Sequence, residues 1–203
     1  KDESFSVKLH MNGMFSVYNV LAALTVAITQ GFDVKDAAEG LANVKGVAGR
    51  FEIVHKKPMV IVDYAHTPDG LKNVLKAGRE ITPEGANLIC LFGCGGDRDA
   101  TKRPKMAAIA EELSDKVVVT SDNPRSENPD QIIADIMAGF KSVDTDKVVV
   151  EPDRGSAIAL LKNISNENDV VIIAGKGHED YQILKDKTIH FDDREEAAKV
   201  FGK

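Results

Sequence analysis

Apolar residues follow two alternating patterns along the chain, which indicate strands and helices in turn. Short β-branched runs such as Val117 to Val119 are typical of strands buried on both faces. A polar loop follows that run, and a helical segment then begins at Asn128 and Pro129, a capping residue and a residue suited to the first turn. This alternation predicts an α/β fold with a Rossmann-like, doubly wound and mostly parallel sheet.

The predicted elements cover most of the chain from residue 51 onward. Two strands flank residues 56–58 within 51–66, and further strands are predicted at 87–93, 116–121, 147–152 and 169–177. Helices are predicted at 71–81, 103–113, 129–140, 155–164 and 192–201. The segment 181–191 predicts a C-terminal hairpin.

The first 50 residues show a different pattern. Residues 15–30 predict a helix that ends at Gly31, and residues 34–43 predict a second, shorter helix. Residues 44–50 contain two glycines and no periodicity, which indicates a hinge between two units. The chain starts with Lys1 rather than methionine, and we expect it to be a fragment of a longer protein.

Composition narrows the classes of function. The 203 residues carry a formal net charge of -6, which argues against general nucleic-acid binding. Cys90 and Cys94 have neither CxxC spacing nor visible zinc partners, so we expect reduced thiols. The sequence has no apolar run that could span a membrane and no signal peptide at its start, so a cytoplasmic location is expected.

Polar residues collect in four loops that each follow a predicted strand. These loops are YAHTPDG at 64–70, CGGDRDATKR at 94–103, DNPR at 122–125 and KGHEDY at 176–181. Because parallel strands present their carboxyl ends at one edge of a sheet, we expect the four loops to lie together. Ligands of open α/β sheets bind at that edge.

The charges in these loops suit a zwitterionic ligand. Arg98 and Arg125 can grip carboxylates through their planar guanidinium groups, often with two hydrogen bonds each. Asp122 and Glu179 can hold an ammonium group. We therefore expect a zwitterionic ligand at this edge of the sheet.

Backbone features support the same expectation less specifically. Gly175 and Gly177 allow backbone N–H groups to approach a ligand closely, because no Cβ is in the way. Pro124 fixes its own φ and keeps Asn123 extended. Taken alone, however, the 122–125 loop is better explained by ordinary turn chemistry.

The other polar motifs are not assigned to a binding or catalytic site. GCGGDRD at 93–99 resembles a phosphate loop but matches neither GxxxxGK[ST] nor a clean GxGxxG. The Asp-x-Asp spacing in DRDATKR lacks the rest of a calcium loop, so no metal site is predicted. His66 is near Asp63 and is either a general base or, as we favour, part of a hydrogen-bonded loop. No catalytic residue is assigned.

Six motifs occur in one order along the chain, and together they are more specific than any one loop. They are NVLAAL at 19–24, GRFE at 49–52, VDYAHTPDGL at 62–71, FGCGGDRDATKRP at 92–104, SDNPR at 121–125 and GKGHEDYQ at 175–182. With these motifs the chain resembles the Mur ligases, the cytoplasmic ATP-dependent family that extends the peptidoglycan stem peptide.

The resemblance implies a domain organisation. Residues 1–47 resemble the tail of the central ATP-binding domain, and residues 48–203 resemble the C-terminal, amino-acid-binding domain. The family's phosphate loop and its UDP-sugar-binding domain are absent from the sequence. We therefore expect no ligase activity from the 203-residue chain alone.

The resemblance also implies ligands and their residues. The 122–125 loop resembles the signature for meso-diaminopimelate, and the implied pocket consists of Arg98, Asp122, Asn123, Pro124, Arg125, Gly175 and Glu179. The resemblance also implies four residues that lie near ATP: Asn19, Arg50, Asp63 and His66. Magnesium and UDP-MurNAc-L-Ala-D-Glu would be bound mainly by the missing domains. One position departs from the family: Ser16 stands where many members have asparagine.

Two alternatives remain open from the sequence. The first is a related ligase of different specificity, a lysine-adding Mur ligase or a folylpolyglutamate synthetase; Arg125 argues against both. The second is a non-catalytic Rossmann-like module that binds a nucleotide, which the fold alone permits. The first strand and its loop lack a proper dinucleotide glycine pattern, which argues against that module.

Overall fold

The computed structural model describes residues 4–11, 13–44, 46–142 and 146–202. The chain divides into two compact units, Lys1–Val47 and Ala48–Lys203. The division falls within the predicted hinge at 44–50. Within the described part of the chain, no helix combines the length and the apolar character needed to cross a membrane.

The first unit contains both predicted N-terminal helices, α1 (Met14–Thr29) and α2 (Val34–Ala42). Helix α1 stops before Gly31, which has a φ of 88°. Helix α2 begins after Asp33, whose carboxylate accepts the Lys35 N–H at 2.8 Å and so caps the free helix end.

The second unit is built on a six-stranded sheet. Its strands are β1 (Glu52–Lys56), β2 (Met59–Asp63), β3 (Leu88–Phe92), β4 (Lys116–Val119), β5 (Val148–Val150) and β6 (Val170–Ala174). The spatial order is β1-β2-β6-β3-β4-β5. Strand β1 is antiparallel to β2, and all other neighbouring pairs are parallel.

In the described part of the second unit, five helices cover the two faces of this sheet. They are α3 (Pro68–Ile81), α4 (Lys102–Leu113), α5 (Pro129–Met137), α6 (Arg154–Ile164) and α7 (Asp193–Phe201). Helices α3, α4 and α5 pack side by side, whereas α6 and α7 pack together. Alternate strand residues such as Val62, Leu91 and Ile173 form a core with Ile158 and Leu161 of α6. This arrangement confirms the predicted doubly wound, mostly parallel sheet.

A separate two-stranded sheet follows the main sheet. Strands β7 (Tyr181–Ile183) and β8 (Thr188–His190) pair antiparallel and confirm the C-terminal hairpin. The backbone N–H of Arg125 donates to the carbonyl of Ile183 at 3.1 Å. The hairpin is thereby tied to the loop that follows β4.

Helix α3 begins earlier than its hydrophobic pattern predicted. It starts at Pro68 rather than residue 71, because the Thr67 hydroxyl accepts the Gly70 N–H at 3.1 Å and Pro68 occupies the first turn. Helix α6 likewise starts at Arg154, since the Asp153 carboxylate accepts the Ser156 N–H at 2.8 Å. Local capping chemistry therefore brings both helix starts closer to the preceding strands.

The sheet order explains where the polar loops lie. Strands β2, β6, β3 and β4 are consecutive neighbours and mutually parallel. Their carboxyl ends therefore share one edge, and the loops that follow them converge there.

Candidate functional site

A cavity of about 510 Å³ opens where the four loops converge, and each loop contributes to its lining. Of the seven residues predicted to bind an amino acid, the cavity lining includes Arg98, Asp122, Asn123, Arg125, Gly175 and Glu179. Pro124 is buried in the same loop. The predicted convergence of the loops is confirmed, whereas the roles of these residues stay predictions.

The Glu179 carboxylate is fixed from behind. Its Oε2 accepts the Asn123 side-chain N–H at 3.0 Å and lies 3.2 Å from the Lys176 ammonium. The side-chain oxygen Oδ1 of Asn123 in turn accepts the Ile183 N–H at 2.9 Å. These contacts hold one oxygen of Glu179 while the residue still lines the cavity.

Lys176 is a residue of this site that sequence reasoning missed. Its side chain has no exposed surface, and its ammonium lies 3.3 Å from Asn123 Oδ1 and 5.4 Å from the centre of the Tyr181 ring. A lysine between two glycines is usually taken for a solvated loop residue. The signal that could have found it is its place directly after the fully buried β6, next to Glu179.

Asp122 closes the floor of the cavity. Only 7% of the residue is exposed, and its Oδ1 accepts the backbone N–H of Asn123 at 2.6 Å. Gly175 has a φ of 122°, a conformation that residues with a side chain rarely adopt, and a Cβ there would lie 2.8 Å from Asp122 Oδ2, so glycine is favoured at this position.

The expected use of the Gly175 N–H differs from the structure. This N–H donates to the carbonyl of Asp63 at 3.0 Å, which continues the pairing of β2 with β6. It is therefore not available to a ligand as predicted, and the Gly175 carbonyl is the backbone group that suits a ligand ammonium.

The Arg125 guanidinium is anchored at one nitrogen. Its Nη1 donates to the carbonyl of Gly96 at 2.8 Å and to that of Asn123 at 3.4 Å. The described residues provide no hydrogen-bond partner for its Nε or Nη2. That edge of the guanidinium has the spacing for two parallel hydrogen bonds to a carboxylate. Arg98 is exposed, and its Nη1 donates to the Asp97 carbonyl at 2.9 Å.

A second cluster surrounds Tyr64, which also lines the cavity. The Arg50 guanidinium lies 4.5 Å from the centre of the Tyr64 ring, and the rings of His66 and His178 lie at 4.6 Å and 5.1 Å. His66 lines the cavity and is exposed. Its Nδ1 lies 2.9 Å from the Tyr64 carbonyl, so His66 belongs to a hydrogen-bonded loop.

Asp63 is buried below this cluster. Its two carboxylate oxygens accept the backbone N–H groups of Phe51, at 2.7 Å, and Ala65, at 2.8 Å. Burial raises the pKa of Asp63, while those two hydrogen bonds and the Arg50 charge oppose the rise. Both oxygens are thus committed to the backbone, and Asp63 holds Phe51 in its left-handed conformation at φ 47°.

The remaining predicted residue, Asn19, is exposed on α1 in the first unit. Within the second unit, the structure groups the other three predicted nucleotide residues. Arg50 and His66 both contact Tyr64, and Asp63 supports their loop from below.

The cavity wall formed by α4 is basic. Lys102 and Lys105 line it, and the Lys102 ammonium donates to the His66 carbonyl at 2.7 Å. Among the described residues, no group of three His, Cys, Asp or Glu side chains is arranged to hold a metal ion. Cys90 and Cys94 are buried free thiols, and burial raises the pKa of each to about 12.

A mostly parallel α/β sheet, whose carboxyl edge carries a cavity lined by residues of both charges, defines a Rossmann-like domain. The family profile described as Mur ligase, glutamate ligase domain, matches residues 49–177. The chain belongs to the Mur ligase family.

Similar proteins cover almost the whole chain. A UDP-N-acetylmuramoyl-L-alanyl-D-glutamate–2,6-diaminopimelate ligase of Syntrophomonas wolfei subsp. wolfei is 49% identical over 98% of the chain and 41% of its own length. The enzyme of the same name from Clostridium botulinum is 48% identical over 96% of the chain and 40% of its own length. The chain therefore spans about two fifths of the length of these relatives.

Solved structures support the same relationship. A structure of a UDP-N-acetylmuramoyl-L-alanyl-D-glutamate–2,6-diaminopimelate ligase superposes with a TM-score of 0.73 at 38% identity. It covers 98% of this chain and 40% of that chain. A folylpolyglutamate synthase from Mycobacterium tuberculosis has a TM-score of 0.70 at 22% identity over 97% of this chain and 42% of its own, which shows a shared fold.

Proposed function

We propose that this chain is the C-terminal portion of an ATP-dependent ligase that adds meso-diaminopimelate to UDP-MurNAc-L-Ala-D-Glu in peptidoglycan synthesis. Its first unit is the tail of the ATP-binding domain, and its second unit supplies the amino-acid site. The observation that carries the proposal is that Arg125 and Glu179 both line one cavity. The free edge of the Arg125 guanidinium suits a carboxylate, and the Glu179 carboxylate suits an ammonium group. Diaminopimelate carries both kinds of charge.

Arg125 gives the site a physical reason to reject lysine. Diaminopimelate carries a second carboxylate where the lysine side chain ends in an ammonium alone. Each charge-assisted hydrogen bond to that carboxylate contributes roughly 1.5–3 kcal/mol. A site built to hydrogen-bond a polar group of its substrate can reject an analogue that lacks this group by a factor of about 10⁴ or more. The anchored Nη1 of Arg125 supports this role, because the guanidinium is already oriented before a ligand arrives.

The other cavity residues receive complementary roles in the proposal. Glu179 and the Gly175 carbonyl hold an ammonium group of diaminopimelate, and Asp122 contributes negative charge from the floor. Arg98 offers a second cation to a carboxylate. Together they position the reacting amine of diaminopimelate, which turns a bimolecular encounter into a local one.

The reaction that the family carries out has two chemical stages. The γ-carboxylate of the D-glutamate first receives a phosphoryl group from ATP, which gives an acyl phosphate. The diaminopimelate amine then attacks the acyl carbon, and phosphate leaves the tetrahedral intermediate. Arg50, which is exposed beside Tyr64, is suited to contact an ATP phosphate. Asp63 supports the Arg50 segment through the Phe51 N–H rather than through a free carboxylate.

Magnesium would neutralise charge on the transferred phosphoryl group. In the proposal its ligands come mainly from the preceding part of the ligase; among the described residues, no group of three His, Cys, Asp or Glu side chains is arranged to hold a metal ion. For the same reason, and because the sequence has no GxxGK[ST] phosphate loop, we expect no ATP-dependent product from the 203-residue chain. Product formation by this chain alone would contradict the proposed division of labour.

Calorimetric titration of the chain with meso-diaminopimelate and with L-lysine tests the proposal. Binding of diaminopimelate and not lysine is the expected result. A preference for lysine would overturn the substrate assignment, and tight binding of NADH would instead favour a nucleotide-binding module. If the chain binds neither amino acid, the same comparison is made as turnover by the full-length ligase.

Arg125→Asn is the matched variant for this comparison. Arg125 has a φ of 53°, a conformation that asparagine tolerates, so the substitution removes the guanidinium with little backbone strain. We expect diaminopimelate to lose affinity and lysine to be rejected less strongly. Unchanged selectivity would exclude Arg125 as the residue that reads the distal carboxylate.

A further inference from the structure

Two loops of the cavity, 93–99 after β3 and 121–127 after β4, interlock around Arg125. We propose that Asp97, supported by Glu127, is a positioning residue that holds Arg125 in the orientation that reads the distal carboxylate of diaminopimelate. The inference rests on the proposed function and adds specificity determinants outside the residues that contact the ligand.

The backbone of the interlock is held in an unusual conformation. Asp97 and Arg125 have φ values of 54° and 53°, in the left-handed region that residues with side chains rarely adopt. Such conformations persist where surrounding contacts enforce them and concentrate at functional sites. Here the two left-handed residues lie in different loops that are hydrogen-bonded to each other.

Asp97 provides the direct connection between the loops. Its Oδ1 accepts the Ser126 hydroxyl at 2.7 Å, and its Oδ2 accepts the Ser126 backbone N–H at 3.2 Å. The backbone N–H of Asp97 donates to Glu127 Oε1 at 2.5 Å. Three hydrogen bonds therefore join Asp97 to the two residues that directly follow Arg125.

The preceding residue, Gly96, links the interlock to the guanidinium itself. The Gly96 N–H donates to the Asn123 carbonyl at 2.9 Å, and the Gly96 carbonyl accepts Arg125 Nη1 at 2.8 Å. A Cβ on residue 96 would lie 2.0 Å from the Pro124 carbonyl oxygen. The two loops are thus in close backbone contact, and movement of 96–97 displaces the acceptor that orients Arg125.

The interlock is anchored on a buried side chain. Glu127 Oε2 accepts Arg103 Nη2 at 2.7 Å, and Arg103 Nη1 donates to Asp135 Oδ2 at 2.8 Å. Arg103 is 2% exposed and belongs to α4, and Asp135 belongs to α5. The loop that carries Arg125 is therefore tied to the rigid helices of the domain.

Both acids of the interlock favour their charged forms. Hydrogen bonds from Ser126 lower the pKa of Asp97, and hydrogen bonds from Arg103 and from the Asp97 N–H lower the pKa of Glu127. Both are therefore acceptors at neutral pH.

Comparing the activity of the ligase with diaminopimelate and with lysine distinguishes this positioning role from general support of the fold. Lysine has no distal carboxylate, so a displaced Arg125 weakens recognition of diaminopimelate but does not weaken recognition of lysine. A general loss of folded structure would instead lower the use of both. The ratio of the two kcat/KM values is therefore the informative quantity.

The experiment uses Asp97→Gly in the full-length ligase, because glycine keeps the left-handed conformation and removes both acceptors. We expect kcat/KM for diaminopimelate to fall about tenfold, which corresponds to the contribution of about one hydrogen bond, whereas kcat/KM for lysine should not fall. Asp153→Gly is the matched control: Asp153 also accepts a serine N–H, but at the start of α6 outside the cavity lining. Its selectivity ratio should not change.

Ser126→Ala and a double variant complete the design. Ser126→Ala removes the hydroxyl partner of Asp97 and should lower the ratio in the same direction, so it decides the outcome if Asp97→Gly does not fold. In an Arg125→Asn background, Asp97→Gly should have no further effect on the ratio.

The possible outcomes are distinct. An unchanged ratio in both single variants, or an equal fall for both amino acids, overturns the inference and leaves the proposed function standing. A wild-type ligase that shows no preference for diaminopimelate overturns the proposed substrate, and the inference falls with it.

Discussion

The ammonium of Lys176 lies 3.2 Å from the carboxylate of Glu179, and no part of the Lys176 side chain is exposed. Glu179 retains 15% side-chain exposure and lines the cavity. A buried cation therefore lies behind an anion that faces the cavity. This relationship fixes the geometry of Glu179, because Asn123 binds the same Oε2 atom.

Lys176→Met should weaken both the fold and the site. Methionine fills similar volume but leaves Asn123 Oδ1 and Glu179 without their buried cation. We expect a loss of about 2 kcal/mol in the free energy of unfolding, the usual cost of removing a hydrogen-bonded charge. We also expect about a tenfold weaker affinity for diaminopimelate. Urea titration and calorimetry measure the two effects.

Lys185→Met is the matched control for that substitution. Lys185 is exposed between β7 and β8, so both quantities should remain within the range of ordinary surface substitutions. Equal effects of the two lysine variants would show that Lys176 does not support Glu179.

A second ion pair lies directly beneath the site and predicts a larger effect on stability. Arg154 and Asp193 have no exposed side-chain surface, and Nε and Nη2 of Arg154 each donate to an Asp193 oxygen at 2.8 Å. Asp193→Asn leaves a buried guanidinium without its countercharge. We expect the free energy of unfolding to fall by about 3 kcal/mol or more.

Urea unfolding of the 203-residue chain measures this loss, with Glu195→Gln as the control on the same helix. Glu195 is exposed, and its substitution should change stability by less than about 0.5 kcal/mol. A similarly small change in Asp193→Asn would mean that Arg154 finds another partner or reaches water.

Several features of the fold could be predicted from local sequence alone. The β-branched run at 117–119 and the cap at Asn128 act within a few residues, so strand and helix types follow from the pattern. Hydrophobic periodicity predicts the start of α3 three residues late, since it carries no information about the capping turn.

For the site, the sequence predicts which loops contribute residues, but it does not predict which side chains contact one another. The burial of Lys176 depends on Asn123, which is 53 residues away along the chain, and on the order of the strands. The same holds for Asp97 and Ser126, which are 29 residues apart. Sequence shows that these groups can form hydrogen bonds, but only the folded topology determines with which partner.

His190 gives a pH-dependent prediction on the C-terminal hairpin. Its Nε2 lies 2.8 Å from Glu195 Oε2, and this hydrogen bond, with the charge of Glu195, raises the pKa of His190 above its ordinary value. A raised histidine pKa stabilises the fold below the unfolded-state pKa, and this contribution is lost as pH rises through the folded-state pKa.

Titration of the His190 ring by NMR checks this pair. We expect a midpoint above the ordinary histidine value in the unmodified chain and a lower midpoint in Glu195→Gln. A midpoint that does not respond to Glu195→Gln would show that the pair does not form in solution.

The contact between Gly49 and the loop after β6 gives a prediction that joins the start of the second unit to its site. Gly49 has a φ of 66°, and a Cβ there would lie 2.1 Å from the backbone of both Gly177 and His178. Gly49→Ala therefore adds a backbone clash of about 1–3 kcal/mol to the strain of a left-handed alanine. Gly85→Ala is the control, since Gly85 has a φ of 78° with no atom within 4 Å of the added Cβ.

Urea unfolding should show a larger loss for Gly49→Ala than for Gly85→Ala, because both variants carry the strain and only the first carries the clash. The affinity for diaminopimelate should fall in Gly49→Ala alone, since relief of the clash moves the 177–179 segment and with it Glu179. Equal losses of stability with unchanged affinity would mean that residues 49 and 177–178 separate freely. The site would then not depend on how the chain enters the second unit.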